Sequence, residues 1–94
     1  MAFDPRFRWT TSALTPAAVG AQTTAEQAFS NIAEVGADDE IVAVVKPTLD
    51  AGLDVGNARV SAAGQITLTF INVTGGGLTP TAETYKFLVA KRQP

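Results

Sequence analysis

Three acids in a row (Asp38-Asp39-Glu40), three lysines (Lys46, Lys86, Lys91) and a triple glycine (Gly75-Gly76-Gly77) are where this sequence could do chemistry. The acids lack the spaced Asp-x-Asp-x-Asp-Gly pattern and the distal glutamate of a calcium loop, so they read as a solvated turn. No Gly-Lys-Ser/Thr follows the glycines, which therefore read as a flexible hairpin connection rather than a phosphate loop. A nucleophilic serine or threonine needs an activating neighbour. The sequence has no histidine, and no motif surrounds the lysines. It also has no cysteine, which excludes disulfides and thiolate metal sites. The expectation is a chain without catalytic residues, cofactor or metal, whose function lies in what its surfaces touch.

The elements that must present those surfaces belong to one domain, since 94 residues hold a single core. A core of that size leaves a thin margin of stability, and without disulfides association with partners is the usual remedy. Seven basic against nine acidic residues give a net charge of −2, the wrong sign for non-specific nucleic-acid binding. No apolar run approaches the roughly 20 residues of a membrane helix. The first nine residues lack the apolar core of a signal peptide, so synthesis and retention in a cytoplasm are expected until assembly. Seven acids between Glu26 and Asp54 face a single base, Lys46, whereas Arg6, Arg8, Lys86, Lys91 and Arg92 make the two ends basic. Either these are solvated segments, or one end of the domain faces an acidic partner.

Period-2 alternation recurs along the chain and helical periodicity is nearly absent. In Gln65–Asn72, Ile66, Leu68 and Phe70 share one face and Gln65, Thr67 and Thr69 the other, which predicts a strand with one wet side. Ile71 falls on that outward side. Glu83–Lys91 repeats the pattern with Tyr85, Phe87 and Val89 inward, and Leu88 interrupts its polar face as an interface candidate. Glu40–Pro47 is apolar on both sides, with Val42 and Val44 on one face and Ile41, Ala43 and Val45 on the other, so it is buried on both sides or lies against a partner chain, and Val42 and Val44 are expected in the core. Weaker strands centre on Phe29 and Val60. Gly64 is placed for a tight hairpin turn, and turn signals every 8–12 residues or so point to a sandwich or barrel.

Residues 1–20 differ from the rest and read as an N-terminal arm or edge strand preceding a domain over 21–94. Phe3, Phe7 and Trp9 lie at odd positions, with Arg6 and Arg8 between them. Extended, the segment has an aromatic and a cationic face. Either its aromatics plug one end of the domain, or the arm leaves to insert them into a neighbour, where aromatics and arginines are favoured.

Several short motifs occur in a recognisable order: Thr24-Ala25-Glu26-Gln27, Val42-x-Val44-x-Lys46-Pro47, and Gly52-Leu53-x-Val55-x-Asn57-Ala58-Arg59-Val60. Ile66-Thr67-Leu68-Thr69-Phe70-x-Asn72-x-Thr74 and Thr79-Pro80-Thr81-Ala82-Glu83-Thr84-Tyr85 follow them. Over Thr23 to about Ala90 the chain resembles small structural proteins of tailed bacteriophages, among them head decoration (cement) proteins with a jelly-roll-like β-sandwich. The resemblance implies a non-enzymatic protein on the outer capsid surface of a virion, made in the host cytoplasm and bridging major capsid proteins. It also implies a dimer or trimer, and the double-sided apolar strand Ile41–Val45, the outward Leu88 and Ile71 and the absence of disulfides lead to the expectation of a homo-oligomer, a trimer first and a dimer next. A receptor- or carbohydrate-binding module of a tail or head fibre is the alternative, and a small connector or tail-tube component a weaker one.

The fold expected is therefore all-β: a small antiparallel β-sandwich, jelly-roll-like, with an extended N-terminal arm. Phe3, Arg6, Phe7, Arg8, Trp9, Ile41, Ile71 and Leu88 are the candidate protein-interface residues. Neither nucleic acid nor membrane is an expected partner.

Overall fold

The computed structural model describes residues 6–91. They contain six strands: β1 (Phe7–Leu14), β2 (Thr23–Phe29), β3 (Glu40–Val45), β4 (Leu53–Ala62), β5 (Gln65–Asn72) and β6 (Glu83–Ala90). All pairings are antiparallel, in two three-stranded sheets of order β1-β6-β3 and β2-β5-β4. The all-β expectation is met, and no helix among the described residues is long and apolar enough to cross a membrane.

β5 and β6 are the middle strands, and their alternation decides what they bury. Ile66, Leu68 and Phe70 of β5 and Tyr85, Phe87 and Val89 of β6 are all between 0 and 1% exposed. With Leu14 of β1 and Leu53 of β4 they form one core drawn from both sheets. The Tyr85 and Phe87 rings stack within it, centroids 6.3 Å apart. Burying a side chain of this size contributes about 1.5–3 kcal/mol over leaving it in water.

The Tyr85 hydroxyl is buried without a hydrogen-bond partner among the described residues, and burial pushes its pKa up. An unpaired buried hydroxyl costs about 1–3 kcal/mol. Tyr85→Phe is accordingly expected to raise stability by about 1 kcal/mol in urea unfolding. A loss of that size would show the hydroxyl to be bonded.

One core assignment is overturned. The β3–β6 register shifts between Ile41 and Ala43, so Val42 is an extra residue on β3 and the alternation reverses across it. Ile41 and Val44 then pack against the core, and Val42 stands 55% exposed. Phe29 and Val60 pack against the core as expected.

At one end, the connection from β2 to β3 closes the core with Ile32 and Val35. Left-handed backbone at Asn31 (φ 61°) and Glu34 (φ 65°) curls it over the β4–β5 hairpin. Gly64 forms the hairpin's tip at φ 72°, a conformation that favours glycine. Backbone bonds from Ile32 N to Gly64 O (2.9 Å) and from Gly64 N to Val35 O (2.8 Å) clamp the two together. Asp39 is only 8% exposed here, which corrects its own reading as part of a solvated turn, while Asp38 and Glu40 beside it are exposed. Its Oδ2 accepts from Gly36 N at 2.7 Å and from Lys91 Nζ at 2.6 Å.

At the other end the triple glycine is pinned. Asn72, 1% exposed, sends its carboxamide nitrogen to the carbonyls of Val19 (3.1 Å), Gly20 (3.1 Å) and Gly76 (2.9 Å). An isolated bridge joins Val19 to Leu78 beside it. Next to this, Lys46 Nζ lies 2.5 Å from Asp50 Oδ2 and 3.2 Å from Glu83 Oε2, tying the end of β3 to the start of β6.

The Lys46 hydrogen bond, with two from Thr81, lowers the Asp50 carboxyl from an ordinary 3.8 to about 2. Glu83 is also lowered, by its Thr48 and Lys46 bonds. Burial alone would lower Lys46, but its carboxylate partners raise it. A carboxyl depressed on folding contributes stability that is present above its unfolded pKa and disappears as pH falls through the folded one. The melting temperature should therefore fall between about pH 4 and pH 2, and Asp50→Asn should flatten that fall while lowering stability at pH 7.

Candidate protein-docking face

Residues directly opposite on neighbouring strands put their side chains on the same side of a sheet. The β1-β6-β3 register therefore defines its outer face as three rows: Phe7–Ala90–Glu40, Trp9–Leu88–Ala43 and Thr11–Lys86–Val45. Phe7 is 59% and Trp9 53% exposed, and Val42 and Val45 add apolar surface at the far edge. The inward positions of β1 are taken by Thr10 and Leu14, both buried. The two aromatics thus do not plug the core. They face water on an edge strand that is paired with β6 along its length.

The outer face of the β2-β5-β4 sheet has a different chemistry. Its rows run Glu26–Thr69–Asn57 and Ala28–Thr67–Arg59. Arg59 and Glu26 pair across it at 3.3 Å, and Thr67 donates to Ser61 at 2.8 Å. Ile71 lies on this face, where it covers Gly56: a Cβ there would come within 2.6 Å of Ile71 Cδ1.

The sequence candidates divide accordingly. Phe7, Trp9 and Leu88 are brought together on one surface. Ile41 turns inward to the core, and Ile71 belongs to the opposite sheet. Arg8 stands in register with Val89, on the side away from the aromatics, and donates to Glu34 at 2.6 Å. Arg6 is exposed, and its carbonyl accepts from Lys91 N at 2.6 Å. Phe3 lies outside the described residues. Ala43, Val45, Lys86 and Ala90 share the aromatic face and were not among the candidates. The alternation of 83–91 carried the signal for Lys86, and the bulge hid it for the β3 residues.

The basic ends and the acidic middle of the chain meet in the fold. Arg8 with Glu34 and Lys91 with Asp39 close on each other at the end where β1 begins and β6 finishes. That end offers an acidic partner much less charge than the sequence suggested.

A cleft of about 540 Å³ lies between β3, the connection after it, and β4, lined by Ile41, Val44, Leu53, Val55, Lys46 and Asp50 among others. Its lysine is held as an ammonium by Asp50 and Glu83, and by the carbonyl of Thr48, so it has no basic role at neutral pH. Among the described residues no group of three or more acids could hold a metal ion.

No protein-family model, curated protein or solved structure matches the chain.

Proposed function

We propose that the chain is a non-enzymatic docking protein that lays the outer face of its β1-β6-β3 sheet on another protein, as a decoration protein does on the outer shell of a bacteriophage head. In this reading the two sheets form a jelly-roll-like sandwich and the shell's major capsid protein is the partner. The observation that carries it is the asymmetry of the two outer faces: one holds paired polar side chains, the other exposes Phe7 and Trp9 in line with Leu88. Contiguous apolar surface with large aromatics is what protein interfaces bury at their centres. The ordered resemblance of residues 23 to about 90 to small structural proteins of tailed bacteriophages, head decoration proteins among them, suggests the partner.

β1 and β6, of eight residues each, and β3, of six, lie about 4.8 Å apart and rise about 3.3 Å per residue, presenting on the order of 350 Å² in plan. A standard stable interface buries about 800 Å² per partner. A face this small suits a scaffold that repeats the same site many times. The test is co-sedimentation with intact heads of the phage that encodes the chain, with copy number measured against the capsid protein. Hundreds of copies, and loss of binding by Trp9→Ala without loss of folding, are expected. Absence from purified heads, or a handful of copies, overturns the decoration role.

A further inference from the structure

Each of the two sheets has two edge strands, and three of these four edges are guarded. β3 is six residues long, is broken by the bulge at Val42 and runs into Pro47. β4 shifts register twice against β5. β2 carries Glu26, and beside it the Gln27 carboxamide holds both backbone groups of Ala17, at 2.7 and 2.9 Å. Bulges, charges, proline and covering chain keep other strands from pairing with an edge. β1 runs for eight residues in unbroken register with β6, without proline, acid or bulge. Its one charge, Arg8, is taken up by Glu34.

The ladder fixes which way the β1 backbone points. Lys91 N donates to Arg6 O at 2.6 Å, so the even residues of β1 bond to β6 and the odd ones turn their N–H and C=O groups to the free edge. These are Phe7, Trp9, Thr11 and Ala13, all exposed, and no described residue hydrogen-bonds to their backbone groups on that edge.

We infer that β1 pairs edge to edge with β1 of a second copy, antiparallel about a two-fold axis beside Thr10. Phe7 then stands opposite Ala13 of the second copy, and Trp9 opposite Thr11. This register bonds all four outward residues of each edge within the strands, and a shift of two residues either way leaves one of them over. Both copies turn their odd residues outward, so the aromatic faces lie on one side of a single six-stranded sheet and the cores on the other. Arg8 falls opposite Ser12, so no like charges meet, and Glu40 and Lys86 lie off the seam on β3 and β6. Pairing doubles the outer face to on the order of 700 Å² in plan, close to the roughly 800 Å² per partner of a standard interface. The pairing itself stands whether or not that face docks on a shell.

Sedimentation from about 1 μM to about 1 mM is expected to show the 9.8 kDa chain giving way to a dimer. Over the same range amide exchange should slow at Phe7, Trp9, Thr11 and Ala13. Thr11→Pro removes an edge donor and leaves the bonds to β6 in place, so it should melt as the wild-type monomer does and stay monomeric. Trp9→Ala keeps the backbone bonds and should dimerise within about tenfold of wild type. A monomer throughout, or a dimer in which those four amides exchange as fast as before, overturns the inference; the exchange measurement needs no variant to fold. A dimer that Trp9→Ala abolishes and Thr11→Pro spares also overturns it, since that dimer would be two outer faces packed together. A monomer that binds heads and loses them on Thr11→Pro gives the edge to a strand of the shell protein, which sinks the second copy and keeps docking. A dimer that pairs as described but binds no heads overturns the docking reading alone.

Discussion

Asn72→Asp is expected to leave a chain with no cooperative melting transition. The Asn72 carboxamide reaches three backbone carbonyls at 2.9–3.1 Å, from two separate connections, while its oxygen accepts from Thr74 N at 2.9 Å and from Thr74 Oγ1 at 2.7 Å. Two N–H groups shared among three acceptors leave no spare donor nearby. An aspartate keeps the acceptor and deletes both donors, so a carboxylate faces three carbonyl oxygens where Asn72 is 1% exposed. Each buried polar group left unpaired costs about 1–3 kcal/mol, and an isolated buried charge far more. Against a total of about 5–15 kcal/mol for a domain, that is decisive. Asn72→Ala loses the same bonds without the charge and should fold with a much reduced melting temperature. Far-UV circular dichroism on both variants makes the test; an aspartate variant melting within a few degrees of wild type would refute it. The Asn72-x-Thr74 spacing is also an N-glycosylation acceptor pattern, and burial of the carboxamide closes that use in the folded chain.

Phe70→Ala should cost about 3–5 kcal/mol in urea unfolding, while Trp9→Ala costs less than about 1 kcal/mol. Phe70 is fully buried on the middle strand of its sheet, in register with Ala25 and Val55, so its removal leaves a cavity that two neighbouring strands cannot both fill. Trp9, a larger ring at 53% exposure, gives up little packing. The order of the two values is the test of which way the strands face. A Trp9 variant less stable than the Phe70 variant would mean that β1 carries its aromatics inward.

Much of the core was legible because a central strand has to alternate: residues 65–72 and 83–90 are strands with the expected residues inward. Val42 was misplaced because a bulge adds a residue without a marker in the sequence, and every face assignment on its strand depends on that count. The aromatics of β1 could be placed on a common side by their odd spacing, but not on which side. Thr10 and Leu14 take the core positions, and only the partner strand reveals that. The pairing of Arg8 with Glu34 joins positions 26 residues apart through a connection with two left-handed residues. Nothing local to either side chain encodes it. Lys86 was visible as an outward cation.

The strand order also constrains how the protein is made. β6 leaves the ribosome after the other five described strands, yet it is the middle strand of its sheet, hydrogen-bonded to both β1 and β3. Until residue 90 has emerged, β1 and β3 each lack the neighbour that closes their backbone bonds, and the inward side chains of β1 have no core to enter. Only the β4–β5 hairpin pairs locally during translation. The nascent chain must therefore wait, with Leu14 outside any core, for a closing step that joins β1 to β6. Such non-local closure is slow and leaves open strands vulnerable to chaperones, proteases and aggregation in the meantime. A ribosome stalled anywhere before β6 is complete would release a product without its first sheet, ready for degradation.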